Sequence, residues 1–255
     1  MMTSRTTFVL VPGAWHPASA LDPIAKPLSA AGYTVRGVDL PTCGAEPPLS
    51  EFGPDVEAIS KTIAEEADRG QDVVVFMHSY GGIVGTEACR GLGKKERESA
   101  GKKGGVVRLI YCTAFLVGEG VSLMDILGNK PMPWFIISDN ETRVKPNTPE
   151  DVFYNDLSAD EAKKVADTLS HHSYECFTTK LTYAAYKDIP ATYQLCKKDN
   201  ALPLFAQEKM VEDARALGVQ IDTETFDASH SPFLSMPDEV VASCKRAAAG
   251  SKSMV

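Results

Sequence analysis

Residues 72–82 read DVVVFMHSYGG, an apolar run that breaks at a serine and two glycines. Consecutive Val and Phe positions describe a strand buried on both faces, as in a parallel sheet. The strand runs into Met77-His78-Ser79-Tyr80-Gly81-Gly82 and then a helical pattern. That order predicts a sharp strand-to-helix turn that lifts the Ser79 hydroxyl above the sheet edge. Backbones crowd at such a turn, so small residues are needed two positions either side of the serine. Gly81 meets this need, while Met77 stands where glycine usually does. Taken alone, Ser79 also suits a helix N-cap.

Outward from this turn, short β-rich runs cover 7–11, 33–38, 106–112, 191–196 and 219–226. Helical patterns lie near 18–31, 54–69, 82–91, 204–217 and 237–248. Strand–helix alternation predicts an α/β fold with a doubly wound, mostly parallel sheet. The stretch 118–188 breaks the rhythm. It separates two strands by roughly 75 residues, far more than a crossover helix requires. With Pro131, Pro133, Pro146 and Pro149, then helical patterns near 158–170 and 174–186, it is expected to be a helical cap inserted over the carboxyl edge of the sheet. The core is then 1–117 and 189–255. Residues 91–105 are expected to be a solvated loop, and the small, polar tail 247–255 to fray.

A serine nucleophile needs a base, and the base an orienting acid. With this turn the chain order is serine, then Asp or Glu, then histidine. Asp199 follows the strand ending at Cys196, and His230 is the histidine beyond it, in the loop after the strand ending near Phe226. Ser79, Asp199 and His230 thus all follow strands, at the edge where α/β sheets place their ligands. Asp227 is the competing acid, only three residues before the histidine. An oxyanion hole needs two backbone N–H groups. These are expected from Tyr80, after the nucleophile, and from Ala14, which Gly13 lets approach closely. His16 and His78 are expected to pack beside the site, and His171-His172 to be a solvated pair. Trp15, Phe115 and Trp134 lead the aromatic residues expected to line the pocket.

The chain has 255 residues, 44% hydrophobic and 24% charged, which excludes disorder for most of it. With 34 acidic residues against 26 Lys plus Arg, the net charge of −8 argues against nucleic acid as a partner. The six cysteines are scattered without a C-x-x-C pair, so no metal site is expected and the thiols are expected to be reduced. No apolar stretch approaches the ~20 residues of a membrane span, and a cytoplasmic location is expected.

The segments FVLVPGAWH, MHSYGG, CKKDNALP and ASHSPFLSMPDE together resemble the small α/β-hydrolase superfamily, from about Phe8 to Val241. The nearest branch holds salicylate-type methyl esterases, hydroxynitrile lyases and small microbial and fungal hydrolases. The resemblance implies Ser79 as nucleophile, Asp199 as acid, His230 as base, and the Ala14 and Tyr80 amides as the oxyanion hole. Pro12 and Met77 depart from the usual histidine and glycine of that family. The expected activity is a cofactor-free hydrolysis of a small apolar or aromatic ester or lactone through an acyl-enzyme, by a monomer or homodimer. A lyase or cyclase on the same fold and a non-catalytic small-molecule-binding protein are the alternatives. Hydroxynitrile lyases of the branch place a lysine after the catalytic histidine and a hydroxyl residue in the first oxyanion loop. Ser231 and Gly13 occupy those positions here, which argues against cyanohydrin chemistry.

Overall fold

A computed structural model describes residues 6–250. The chain opens with β1 (Thr6–Val11), α1 (Asp22–Ala30), β2 (Thr34–Gly37), α2 (Gly53–Asp68), β3 (Asp72–His78), α3 (Gly81–Ala88), α4 (Lys94–Ser99) and β4 (Gly105–Cys112). The middle contains α5 (Leu123–Ile126), β5 (Phe135–Ile137), β6 (Arg143–Pro146), α6 (Pro149–Phe153), α7 (Ala159–Ala166) and β7 (His172–Ser173). The last part holds β8 (Ala191–Cys196), α8 (Leu204–Ala216), β9 (Ile221–Phe226), α9 (Pro232–Ser235) and α10 (Pro237–Gly250).

The main sheet has the order β2-β1-β3-β4-β8-β9, and every pairing in it is parallel. Alternate side chains of a strand point to opposite faces. In β3, Val73, Val75 and Met77 accordingly join one apolar cluster with Ile59 and Ile63 of α2. Val74 and Phe76 join the other, with Ile24 and Leu28 of α1 and Val240 and Cys244 of α10. Helices on both faces explain why β3 reads as an unbroken apolar run. Parallel pairing also sets the carboxyl ends of β3, β8 and β9 at one edge, where Ser79, Asp199 and His230 follow their strands.

Several expectations change. Within 91–105 lies α4, whose Arg97 is buried and bonds to Gly104 O and to Asp68 of α2. These tertiary partners order a segment whose composition reads as solvated. Of the two helical patterns in 118–188, the first is α7, started by a capping box of Ser158 and Glu161. The second, 174–186, is not an α-helix. It forms two short 3-10 turns, Glu175–Thr178 and Ala185–Lys187, because its backbone bonds elsewhere. Leu181 N donates to Val121 O, and Thr182 N to Glu87 of α3. The same stretch carries an antiparallel sheet, β5-β6-β7, which a purely helical reading of it lacks. At the C-terminus α10 continues to Gly250, so 247–250 are helical, while 1–5 and 251–255 lie outside the described residues.

Candidate active site

Ser79 has φ +53, a left-handed conformation that non-glycine residues adopt at a cost of about 1–3 kcal/mol. The surroundings impose it. Ser79 N donates to Cys112 O, and Ser79 O accepts from Gly82 N and Phe115 N. A Cβ on Gly81 would stand 2.5 Å from Pro12 O, and one on Gly82 would stand 2.5 Å from Phe115 O. Both positions therefore exclude a side chain. Met77 is accommodated by a third glycine: a Cβ on Gly85 would lie 2.6 Å from the Met77 sulfur. The bulk at the usual glycine position occupies space that Gly85, one helical turn into α3, leaves open.

Asp199 and His230 are buried and paired, with His230 Nδ1 2.7 Å from Asp199 Oδ2. A carboxylate only accepts, so Nδ1 carries the proton and Nε2 is left with a free lone pair. Asp199 Oδ1 accepts from Ala201 N and Leu202 N, both at 2.8 Å. Oδ2 also accepts from Gln207 Nε2 at 3.2 Å. Gln207 is itself tied to Cys196 and Leu202. The competing acid, Asp227, is exposed and pairs with Lys198 instead. The His230 backbone is anchored as well: its carbonyl accepts from His78 Nε2 and Thr113 Oγ1.

A cavity lies above this edge, with about 390 Å³ of empty space when open solvent at its mouth is included. Ser79, His230, Ala14, Tyr80, Trp15, Phe115 and Trp134 all line it. Phe135, Phe153 and Phe177 add to the wall, whereas Tyr154, Tyr183 and Tyr186 do not reach it. Ala201 and Leu202, beside Asp199, also line it, as do Leu123 and Leu127, which no motif marks. Trp15 stacks on Phe153 at 5.7 Å and meets Trp134 edge-on at 5.7 Å. The loop bearing Ala14 presses against the serine, since a Cβ on Gly13 would stand 2.9 Å from Ser79 Cβ.

His16, His78 and His172 are buried parts of the frame. His16 bonds to Ala14 O and to the Tyr154 hydroxyl, both at 2.7 Å, and burial lowers its pKa to about 4. His78 is likewise held well below the usual histidine range by burial. The expected solvated pair is corrected for His172, which is fully buried and bonded to Thr42. Burial lowers its pKa to about 3, so it is neutral. His171 lies at the edge of the pair, against Ala45 O and Glu46.

Two buried polar residues had no motif to mark them. Asp55, on α2, accepts from Thr42 N and Oγ1, and burial raises its carboxyl to about 6. Gln207, on α8, orients Asp199. A signal existed for both. Asp55 falls on the helical stripe of Ile59, Ile63 and Ala67, and Gln207 on that of Met210, Val211 and Ala214. A polar residue on an apolar stripe must find a buried partner.

Residues 8–243 match the sequence profile described as the Alpha/beta hydrolase family. The alpha/beta hydrolase nvfD of Aspergillus novofumigatus is 32% identical over 247 residues, covering 96% of this chain and 97% of that protein. The probable hydrolase R7 of Phoma sp. is 30% identical over 241 residues, covering 93% of this chain and 96% of that protein. Among solved structures, a pyrethroid hydrolase from Sphingobium faniae JZ-2 shares the fold, with a TM-score of 0.73 at 21% identity, over 94% of this chain and 96% of its own.

Proposed function

The chain belongs to the alpha/beta hydrolase family, and from that premise we propose that it is a serine hydrolase of small, uncharged apolar or aromatic esters or lactones. His230 Nε2 takes the proton of Ser79 Oγ as the oxygen attacks the substrate carbonyl carbon. The Ala14 and Tyr80 amides stabilise the oxyanion. The carbon–oxygen bond to the leaving alcohol breaks, and His230 returns the proton to it. Water, deprotonated by His230, then cleaves the acyl–serine ester and releases the acid. Asp199 stays ionised throughout; it holds the imidazole tautomer and stabilises the imidazolium.

The observation that carries this reading is the His230 Nδ1–Asp199 Oδ2 bond of 2.7 Å beside a cavity that Ser79 also lines. The substrate class rests on the wall, where aromatic and aliphatic side chains dominate and no Lys, Arg, Asp or Glu occurs among the described residues. The stretch 118–188 acts as the cap, since Leu123, Leu127, Met132, Trp134, Phe135, Phe153 and Phe177 of it reach the cavity. Burying an aryl ring of about 100 Å² there gains roughly 2 kcal/mol.

The test is labelling by a fluorophosphonate, followed by a panel of aryl, short-chain and anionic esters and lactones in water enriched in oxygen-18. Labelling at Ser79, heavy oxygen in the released acid and a preference for neutral aryl or medium-chain substrates are expected. A Ser79→Ala variant that keeps a tenth of the turnover refutes the assignment of the nucleophile. A product without solvent oxygen points instead to lyase or cyclase chemistry.

A further inference from the structure

Trp15 is the residue after Ala14, and it has φ +70. A tryptophan holds this left-handed conformation only where its surroundings fix it. All three of its polar groups bond to the 118–188 stretch. Trp15 O accepts from Ser170 N at 3.0 Å, Nε1 donates to Val144 O at 3.0 Å, and the backbone N donates to His172 Nδ1 over a long 3.5 Å. The 118–188 stretch thus helps to hold the conformation of the first oxyanion loop.

His172 is in turn the end of a directed chain. Because Trp15 N–H donates to it, Nδ1 is the unprotonated nitrogen and Nε2 carries the hydrogen. Nε2 donates to Thr42 Oγ1 at 3.0 Å, and that hydroxyl donates to Asp55 Oδ2 at 2.6 Å. The other carboxylate oxygen of Asp55 accepts from Thr42 N at 2.9 Å. The Tyr80 hydroxyl closes the set, donating to Asp55 Oδ2 at 3.4 Å, and its ring packs edge-on against His172 at 4.9 Å. The chain therefore touches both segments that supply the expected oxyanion amides. It does so without reaching Ser79, Asp199 or His230.

We propose that His172, held by Thr42 and Asp55, is a positioning residue that fixes the Trp15 peptide and with it the Ala14 amide. The inference rests on the serine-hydrolase reading above. Its chemistry is that of an orienting second pair: a buried acid sets a hydroxyl, the hydroxyl sets an imidazole tautomer, and the imidazole accepts from a strained backbone. Losing the acceptor at Nδ1 leaves the Ala14–Trp15 peptide held only at its carbonyl, by His16 at 2.7 Å, and lets the neighbouring amide move. Removing an oxyanion donor costs about 10²–10³ in kcat, so displacing one is expected to cost about 10–100-fold. Ground-state binding rests on the aromatic wall, so KM is expected to change little.

The experiment compares kcat, KM and the fluorophosphonate labelling rate of the full chain and of His172→Phe. Phenylalanine keeps the ring against Phe177, which stacks on His172 at 5.1 Å, and removes both nitrogens. Thr42→Val and Thr42→Ser form a second pair that leaves His172 in place. The expected result is a loss of about 10–100-fold in kcat and labelling rate in His172→Phe and Thr42→Val, with KM within about threefold, and recovery in Thr42→Ser. Thr42→Val decides the matter should His172→Phe fail to fold. A kcat within threefold of wild type, a loss confined to KM, or a serine variant no better than valine overturns the proposal. A wild-type chain inert to the fluorophosphonate refutes the hydrolase reading and the proposal together. An active wild type with indifferent variants refutes the proposal alone.

Discussion

Asp199→Asn is expected to reduce kcat by about 10³–10⁴-fold, and the structure dictates why. Ala201 N and Leu202 N both donate to Oδ1 at 2.8 Å. The asparagine oxygen must take that place, because the NH₂ group there would face two donors. The NH₂ group then occupies the Oδ2 position, which faces His230 Nδ1 at 2.7 Å and Gln207 Nε2 at 3.2 Å. It can only donate to Nδ1, which draws the imidazole to the tautomer protonated at Nε2. That nitrogen can no longer take the serine proton. A wrong tautomer is worth about 10⁴ in kcat in a serine–histidine–aspartate site, or about 5.5 kcal/mol. The introduced NH₂ group also faces the Gln207 Nε2 donor, which removes about 1–3 kcal/mol of stability and lowers the unfolding midpoint. Steady-state hydrolysis of an aryl ester and the labelling rate of Ser79 measure the effect. KM should stay within about threefold, since the aromatic wall is untouched. A variant that keeps more than a tenth of wild-type kcat refutes the tautomer argument, as does a loss carried by KM alone.

Trp134→Ala, which opens the aromatic wall beside Trp15, should reduce the aryl over acetyl preference in kcat/KM by about tenfold while sparing the labelling of Ser79; unchanged selectivity removes Trp134 from the specificity wall. Gly85→Ala should destabilise by about 1–3 kcal/mol, because its Cβ meets the Met77 sulfur, and Gly85→Ala combined with Met77→Ala should recover part of that cost. Additive effects in a denaturant double-mutant cycle contradict this packing account. His16, lowered to about 4 by burial, binds its proton at lower pH in the folded protein than in the unfolded chain. The stability it supports is therefore complete above pH 6.5 and is lost as pH falls towards 4, by about 1.4 kcal/mol per pH unit. His16→Gln should flatten the slope of unfolding free energy between pH 6 and 4 by about one proton, and an unchanged slope contradicts the assignment.

The features legible in the sequence are local ones. An unbroken apolar run means burial on both faces, so β3 could be read from 72–77 without knowing its neighbours. Glycine spacing marks a turn because a Cβ would collide there, as it does at Gly81 and Gly82. Ser79, Asp199 and His230 could be singled out because each follows a strand, and parallel strands end at one edge. Tertiary structure alone decided the roles of residues whose partners are far away in the chain. His172 read as solvated because nothing near it in sequence is its partner; it is buried by Thr42, 130 residues earlier, and by Trp15. Gly85 answers Met77 only because α3 folds back along β3. The antiparallel sheet of 118–188 was hidden because its strands are two to four residues long, too short for a two-residue period to register. A backbone or polar group pairs with whatever acceptor the fold brings near, and that choice is made only once the chain has closed on itself.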